Sequence, residues 1–177
     1  MRKIYVPPLA RPPFWLNGMR RIVNIDTNTH VPTAQALEST RSLLAANLPP
    51  EHVPRVKLVC GCHAVVLAGL APESQKLVAF NLGYLPGANI KSQCTQEATT
   101  LAAIRSALAA VARKGAVIVM TYTGHPEGSE EHEGVLALAS ALEPEEWVVA
   151  LHRVLNRPSA PQLVVMFRRP KREKKGR

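Results

Sequence analysis

The sequence predicts an α/β domain: a mostly parallel sheet, flanked by helices and closed by an antiparallel hairpin. Three observations lead there. Continuous apolar runs of strand length recur along the chain, as expected of strands buried on both faces. Runs with helical spacing of apolar residues separate them. The last two apolar runs are divided by only a short loop, "LNRPSA", too short for anything but a hairpin.

Taken in order, "RIVNID" at 21–26 predicts a short strand ending on an acid. Residues 32–48, "PTAQALESTRSLLAANL", predict a helix with Leu37, Thr40 and Leu44 on one face. "PPEHVP" interrupts the chain, and "RVKLVC" at 55–60 predicts a second strand. "KLVAFNLG" from residue 76 predicts a third. Residues 99–113 space Leu101, Ile104, Leu108 and Val111 helically, and Lys114-Gly115 has the signature of a helix end. "AVIVMTY" at 116–122 predicts a continuous apolar strand. A helix over 134–142 would present Val135, Leu138, Ala139 and Leu142, and "EWVVALHRV" with "PQLVVMFRR" would form the final hairpin.

The 177 residues suffice for one domain with a real core, and 46% hydrophobic composition suits a folded body. No apolar run approaches the roughly 20 residues that a membrane-crossing helix needs. Three cysteines, Cys60, Cys62 and Cys94, are too few for a disulfide framework and read as reduced thiols. "CGCH" at 60–63 lacks the second ligand pair of a tetrahedral zinc site, and the His and Glu of "HPEGSEEHE" read as the acidic start of a helix, so no metal is expected. Trp15 and Trp147 read as packing residues.

The net charge of +9 is concentrated at the ends. Residues 1–25 carry five basic side chains and no acid, and residues 168–177 carry seven basic side chains and one acid. The body between them is near neutral. This divides the chain into a Pro-rich basic extension (1–21), a folded domain (22–167) and a basic tail (168–177). The tail cations Arg168, Arg169, Lys171, Arg172, Lys174, Lys175 and Arg177 are candidates for contact with RNA phosphates.

In an open α/β sheet, ligands bind at the carboxyl ends of the strands. The unusual residues of this chain gather at such ends: Asp26, "CGCH", "NLGYLPG" and "TYTGHPEG". The pattern "FNLGYLPG…K…T…TT…I…AL", followed by "G-x-VIV-x-x-Y-x-GHPEG-x-EE", resembles the rRNA methylase family. These are small class I S-adenosylmethionine-dependent methyltransferases with a Rossmann-like sheet, linked to methylation of the modified wobble uridine of tRNA. The likeness runs from about residue 22 to 167, is closest over 80–128, and includes "VLNRPSAPQLVV".

The resemblance implies roles. Asp26 would hold the cofactor ribose and His63 would flank the adenine. Asn81, Leu82, Gly83 and Tyr84 would form the catalytic-edge loop. Lys91, Thr95, Tyr122, Gly124, His125 and Gly128 would line the substrate side. Methyl transfer from a sulfonium depends chiefly on alignment of acceptor, methyl carbon and sulfur. One feature departs from the family. Ahead of Asp26, where a glycine-rich cofactor loop is expected, the chain has a possible reduced strand "KIYV" and then "PPLARPP". Prolines lack the N–H donors of such a loop and cannot adopt its positive φ values.

From that departure the expected function is a catalytically inactive, methyltransferase-like RNA-binding protein. It would bind no cofactor and would serve, with ribosomal proteins as partners, as a structural or assembly component of a mitochondrial ribosome or other RNA–protein complex. The alternative is an active S-adenosylmethionine-dependent methyltransferase of rRNA or tRNA. Plastid and cytoplasm are the alternative compartments.

Overall fold

A computed structural model of the chain describes residues 22–26, 34–59, 61–82, 97–124 and 126–171. It divides into two compact units. The smaller contains helix α1 (Ala34–Asn47) and a 3-10 turn at Val53–Arg55. In α1 the predicted stripe is observed: Leu37, Thr40 and Leu44 are half-buried, and the residues between them are mostly exposed. The strand expected at 55–60 is not formed. Pro54 lies in the 3-10 turn that Val53 starts, and residues 56–59 join no ladder. Val56 and Val59 are exposed, so this apolar run lacks the burial that would select a strand.

The larger unit holds a five-stranded sheet of order β1-β2-β3-β5-β4. Its strands are β1 (Ile22–Asp26), β2 (Gln75–Asn81), β3 (Val111–Thr121), β4 (Trp147–His152) and β5 (Gln162–Arg168). β1, β2 and β3 run parallel, and β5 and β4 close the sheet as the antiparallel hairpin foreseen. Three helices belong to this unit: α2 (His63–Ala68), α3 (Glu97–Ala110) and α4 (Pro126–Ser140).

The core lies between these helices and one sheet face. Val78 and Phe80 of β2, Val117 and Val119 of β3, and Val164 and Met166 of β5 alternate inward, as a period of two requires. Leu67 of α2, Ala103, Ile104 and Ala107 of α3, and Val135 and Ala139 of α4 meet them. The opposite face, with Leu77, Ala79, Ile118, Met120 and Val165, is half-buried.

Three boundaries differ from expectation. Helix α2 was missed because "HAVVLA" is apolar all round and therefore gives no periodic signal; Gly69 ends it by donating to Val65 O. Helix α4 begins at Pro126 rather than 134, as suits a proline in the first helical turn, and its predicted face is confirmed. Helix α3 stops at Ala110, and residues 111–115 belong to β3. There Gln75 pairs with Val111 but Leu77 with Ala116, so Lys76 faces four residues, 112–115. Lys114 takes a φ of 63°, and a Cβ on Gly115 would lie 2.7 Å from the Lys76 carbonyl oxygen. The Lys-Gly pair marks a bulge in a strand rather than a helix end.

Candidate active site

The parallel pairing brings the strand ends together. Asp26 is in register with Asn81 across β1–β2, and Asn81 with Met120 across β2–β3. Asp26, Asn81 and Thr121 are the last residues of three neighbouring strands, on the edge where this class of sheet binds ligands.

At this edge the Tyr122 hydroxyl donates to Asn81 Oδ1 over 2.9 Å. Both side chains are half-buried, so the bond is partly shielded from competing water while the pair still meets the surface. The bond also fixes which way the amide faces. Leu82 follows with its side chain wholly buried, and its N–H donates to Met120 O at 3.0 Å. Leu82 therefore anchors the start of the loop in the core, while Asn81 presents the polar group.

Beneath Tyr122 lies a polar layer that the sequence did not disclose. Thr121 Oγ1 is 2.8 Å from Nδ1 of His132 and donates to Gln162 O at 3.3 Å. Thr100 Oγ1 donates to Glu131 Oε1 at 2.7 Å. All five residues are buried. Burial pulls the His132 pKa below its ordinary value of 6.5, against the opposing pull of Glu133. Ser129 Oγ reaches Thr123 O at 3.4 Å, tying the segment after β3 to α4. A signal for this layer did exist: Thr121 continues the inward alternation of Val117 and Val119.

Other expected residues fall as follows. His63 opens α2 and is half-buried, Gly124 is exposed with open space around it, and Gly128 is buried in α4. Cys62 is an exposed free thiol. Gly83, Tyr84, Lys91, Thr95, His125, Arg172, Lys174, Lys175 and Arg177 lie outside the described residues, as do Trp15, Cys60, Cys94, "KIYV" and "PPLARPP". Trp147 packs in the core, as anticipated. Arg168, expected among the RNA-contacting cations, is engaged within the fold. It donates to Val111 O at 2.6 Å, pairs with Glu73 at 3.1 Å and lies 5.7 Å from the centre of the Trp147 ring.

Residues 33–168 match the family described as "Putative rRNA methylase". The chain belongs to the rRNA methylase family. A chloroplastic tRNA (mnm(5)s(2)U34)-methyltransferase of Arabidopsis thaliana is 43% identical over 136 residues, 76% of this chain and 49% of the relative. The chain thus spans about half the length of the curated relative it matches. The fold is shared with the crystal structure of a putative rRNA methylase from Clostridium thermocellum, at TM-score 0.71 and 22% identity, over 88% of this chain and 94% of that one. A putative methyltransferase from Streptococcus mutans, crystallised in complex with SAH, superposes at TM-score 0.67 and 25% identity, over 93% of this chain and 99% of that one.

These findings overturn the expectation of an inactive structural component. A relative at 43% identity is a named tRNA methyltransferase, and a neighbour of matching size holds SAH. The inactive reading rested on "PPLARPP", yet the family match begins at residue 33, beyond that segment. The motifs over 80–128 of this rRNA methylase family member lie inside the matched region, and Asp26 lies before it. The relative is chloroplastic, which does not support the mitochondrial expectation. Among the described residues no helix is long and apolar enough to cross a membrane.

Proposed function

We propose that the chain is an S-adenosylmethionine-dependent RNA methyltransferase, acting on the modified wobble uridine of tRNA in a plastid. The observation that carries this reading is the 43% identity to the chloroplastic tRNA methyltransferase. The described residues suit the acceptor half of such a site. Three strand ends converge, and a half-buried amide is held in one orientation by a tyrosine hydroxyl. When bound, S-adenosylmethionine supplies an electrophilic methyl group on a sulfonium. Asp26 and His63 would hold its ribose and adenine.

The chain's own contribution is alignment. Asn81 sits at the catalytic edge, and its amide presents a fixed hydrogen-bonding edge to the acceptor. Tyr122 positions that amide, and the buried Thr121–His132 contact steadies the strand end from which Tyr122 projects. Gly83 and Tyr84 would complete the edge, with Lys91, Thr95, Gly124, His125 and Gly128 on the RNA side. Among the cations, Arg169, Lys171 and those beyond remain for phosphate contact, since Arg168 is occupied within the fold.

Calorimetry with S-adenosylmethionine and methyl transfer from labelled donor to tRNA that carries the modified wobble uridine without its final methyl group test the reading. Micromolar donor binding and label in tRNA are expected. Tyr122→Phe should lower kcat roughly tenfold, the value of about one hydrogen bond at the edge. Asn81→Ala should lower it further while donor affinity is kept. A flat titration at millimolar donor would remove the reading.

A further inference from the structure

We infer, resting on the methyltransferase reading, that the loop between β4 and β5, residues 153–161, docks the RNA. Arg153 and Arg157 hold phosphates that flank the target nucleotide. The strand register places this loop beside the acceptor edge. Asp26, Asn81, Met120, Leu163 and His152 form one rung across all five strands. His152 ends β4 on that rung, three strand spacings or about 14 Å from Asn81. The loop starts at the next residue and returns to the sheet at Gln162, opposite Thr121.

The described part of the basic tail leaves from the opposite end of the sheet. β5 runs away from the acceptor edge, and Arg168 at its far end lies about 17 Å down the strand from Leu163. Arg169 follows there, its N–H donating to Glu146 O at 2.8 Å, and Lys171 comes just after. Cations at that end meet phosphates on a more distant part of the RNA. The loop is the cationic element on the rung of Asn81.

Its chemistry suits a single-stranded RNA segment. Arg153 and Arg157 are exposed, and among the described residues neither is paired with an acid. The sequence has no acid from Trp147 to Lys171, so nothing local neutralises them. A guanidinium grips a phosphate through two parallel hydrogen bonds. Between the two arginines Leu155 is 82% exposed and Val154 44%, apolar surface for a base that an RNA loop leaves unstacked. The loop is also held in shape before any RNA arrives. Arg157 N–H donates to Val154 O at 3.4 Å and Ala160 N–H to Arg157 O at 3.0 Å, while Pro158 and Pro161 fix their own φ. Less order is then lost on binding. An anticodon loop is a segment of this kind: its wobble nucleotide enters at Asn81 while neighbouring phosphates cross the ends of β3 and β5 to the two arginines.

Arg153→Ala with Arg157→Ala in the full chain tests this, by binding of tRNA and of its isolated anticodon stem-loop over a series of salt concentrations. Two contacts to single-stranded phosphates carry a slope of about 1.4 in log affinity against log salt, hence roughly 25-fold near 0.1 M. The double variant should lose that much for both RNAs, keep its donor affinity in calorimetry and unfold at the wild-type Tm. Arg153→Lys with Arg157→Lys should recover most of the slope. Leu155→Ser should weaken both RNAs severalfold with the slope unchanged, and Lys171→Ala should weaken whole tRNA more than the stem-loop. A double variant that binds the stem-loop with wild-type affinity and slope overturns the docking, even where methyl transfer proceeds, and leaves the loop to an acidic protein surface. A chain that binds no donor, yet loses RNA affinity in the double variant, removes the methyltransferase reading and retains the docking.

Discussion

Replacing Arg168 by alanine separates a structural cation from an RNA-contacting one. The guanidinium makes three interactions at the end of the sheet remote from Asn81. A hydrogen bond from a charged donor to a carbonyl, here 2.6 Å to Val111 O, contributes about 1.5–3 kcal/mol. The 3.1 Å pair with Glu73, whose side chain is half exposed, adds at most about 1 kcal/mol. The position over Trp147 adds about 0.5–1 kcal/mol. Contacts sharing one group do not sum fully, so the expected loss is about 3 kcal/mol. For a chain of this size that is a fall in Tm of about 6–12 °C, read by thermal and urea unfolding. Arg168→Lys keeps the charge but not the planar fork, and should recover less than half of the loss. Glu73→Ala should cost under about 1 kcal/mol. In the same preparations Lys171→Ala should weaken tRNA binding and leave Tm unchanged. A loss below about 1 kcal/mol for Arg168→Ala, with tRNA affinity falling instead, would refute this assignment.

Other outcomes follow from the same structure. Because burial lowers the His132 pKa, the folded chain binds its proton less well than the unfolded chain does. Stability is therefore full above about pH 6.5 and falls as pH drops through the folded-state value, and His132→Gln should flatten that part of the profile in urea titrations. Gly115→Ala forces a Cβ onto the Lys76 carbonyl and should cost about 1–3 kcal/mol by chemical unfolding. Lys114→Gly relieves a left-handed residue and should change stability by less than about 1 kcal/mol. Ile104→Ala, at a fully buried position of α3, should cost about 2–5 kcal/mol in the same assay.

The sheet was legible wherever apolar runs were both continuous and buried. "KLVAF", "AVIVM" and the final hairpin were each found, because their alternate residues enter a single core. "RVKLV" is also rich in strand-forming residues yet forms no strand, since an apolar run does not reveal whether a partner strand is available. Asn81 and Tyr122 were singled out by their motif, but not the bond between them, which joins residues 41 positions apart. The acids of "SEEHE" were read as the acidic first turn of a helix. With α4 starting earlier, at Pro126, that run lies inside the helix and Glu131 and His132 reach the interior. Lys114-Gly115 carried a true signal of unusual backbone, but a helix end and a strand bulge use the same residue types. Arg168 looked like part of a uniform basic tail because sequence shows charge and not occupancy.

The bulge at residues 112–115 has an evolutionary consequence. It lies at the amino end of β3, while the strand beyond it runs in unbroken register from Leu77–Ala116 to Asn81–Met120. It therefore behaves as an expansion joint. A residue gained or lost there during descent alters the size of the bulge, and the five paired rungs on its far side need not slip. Length variation between α3 and β3 can thus accumulate without shifting Tyr122 relative to Asn81, leaving chain length in that connection far freer to drift than the geometry at the opposite end of the same strand.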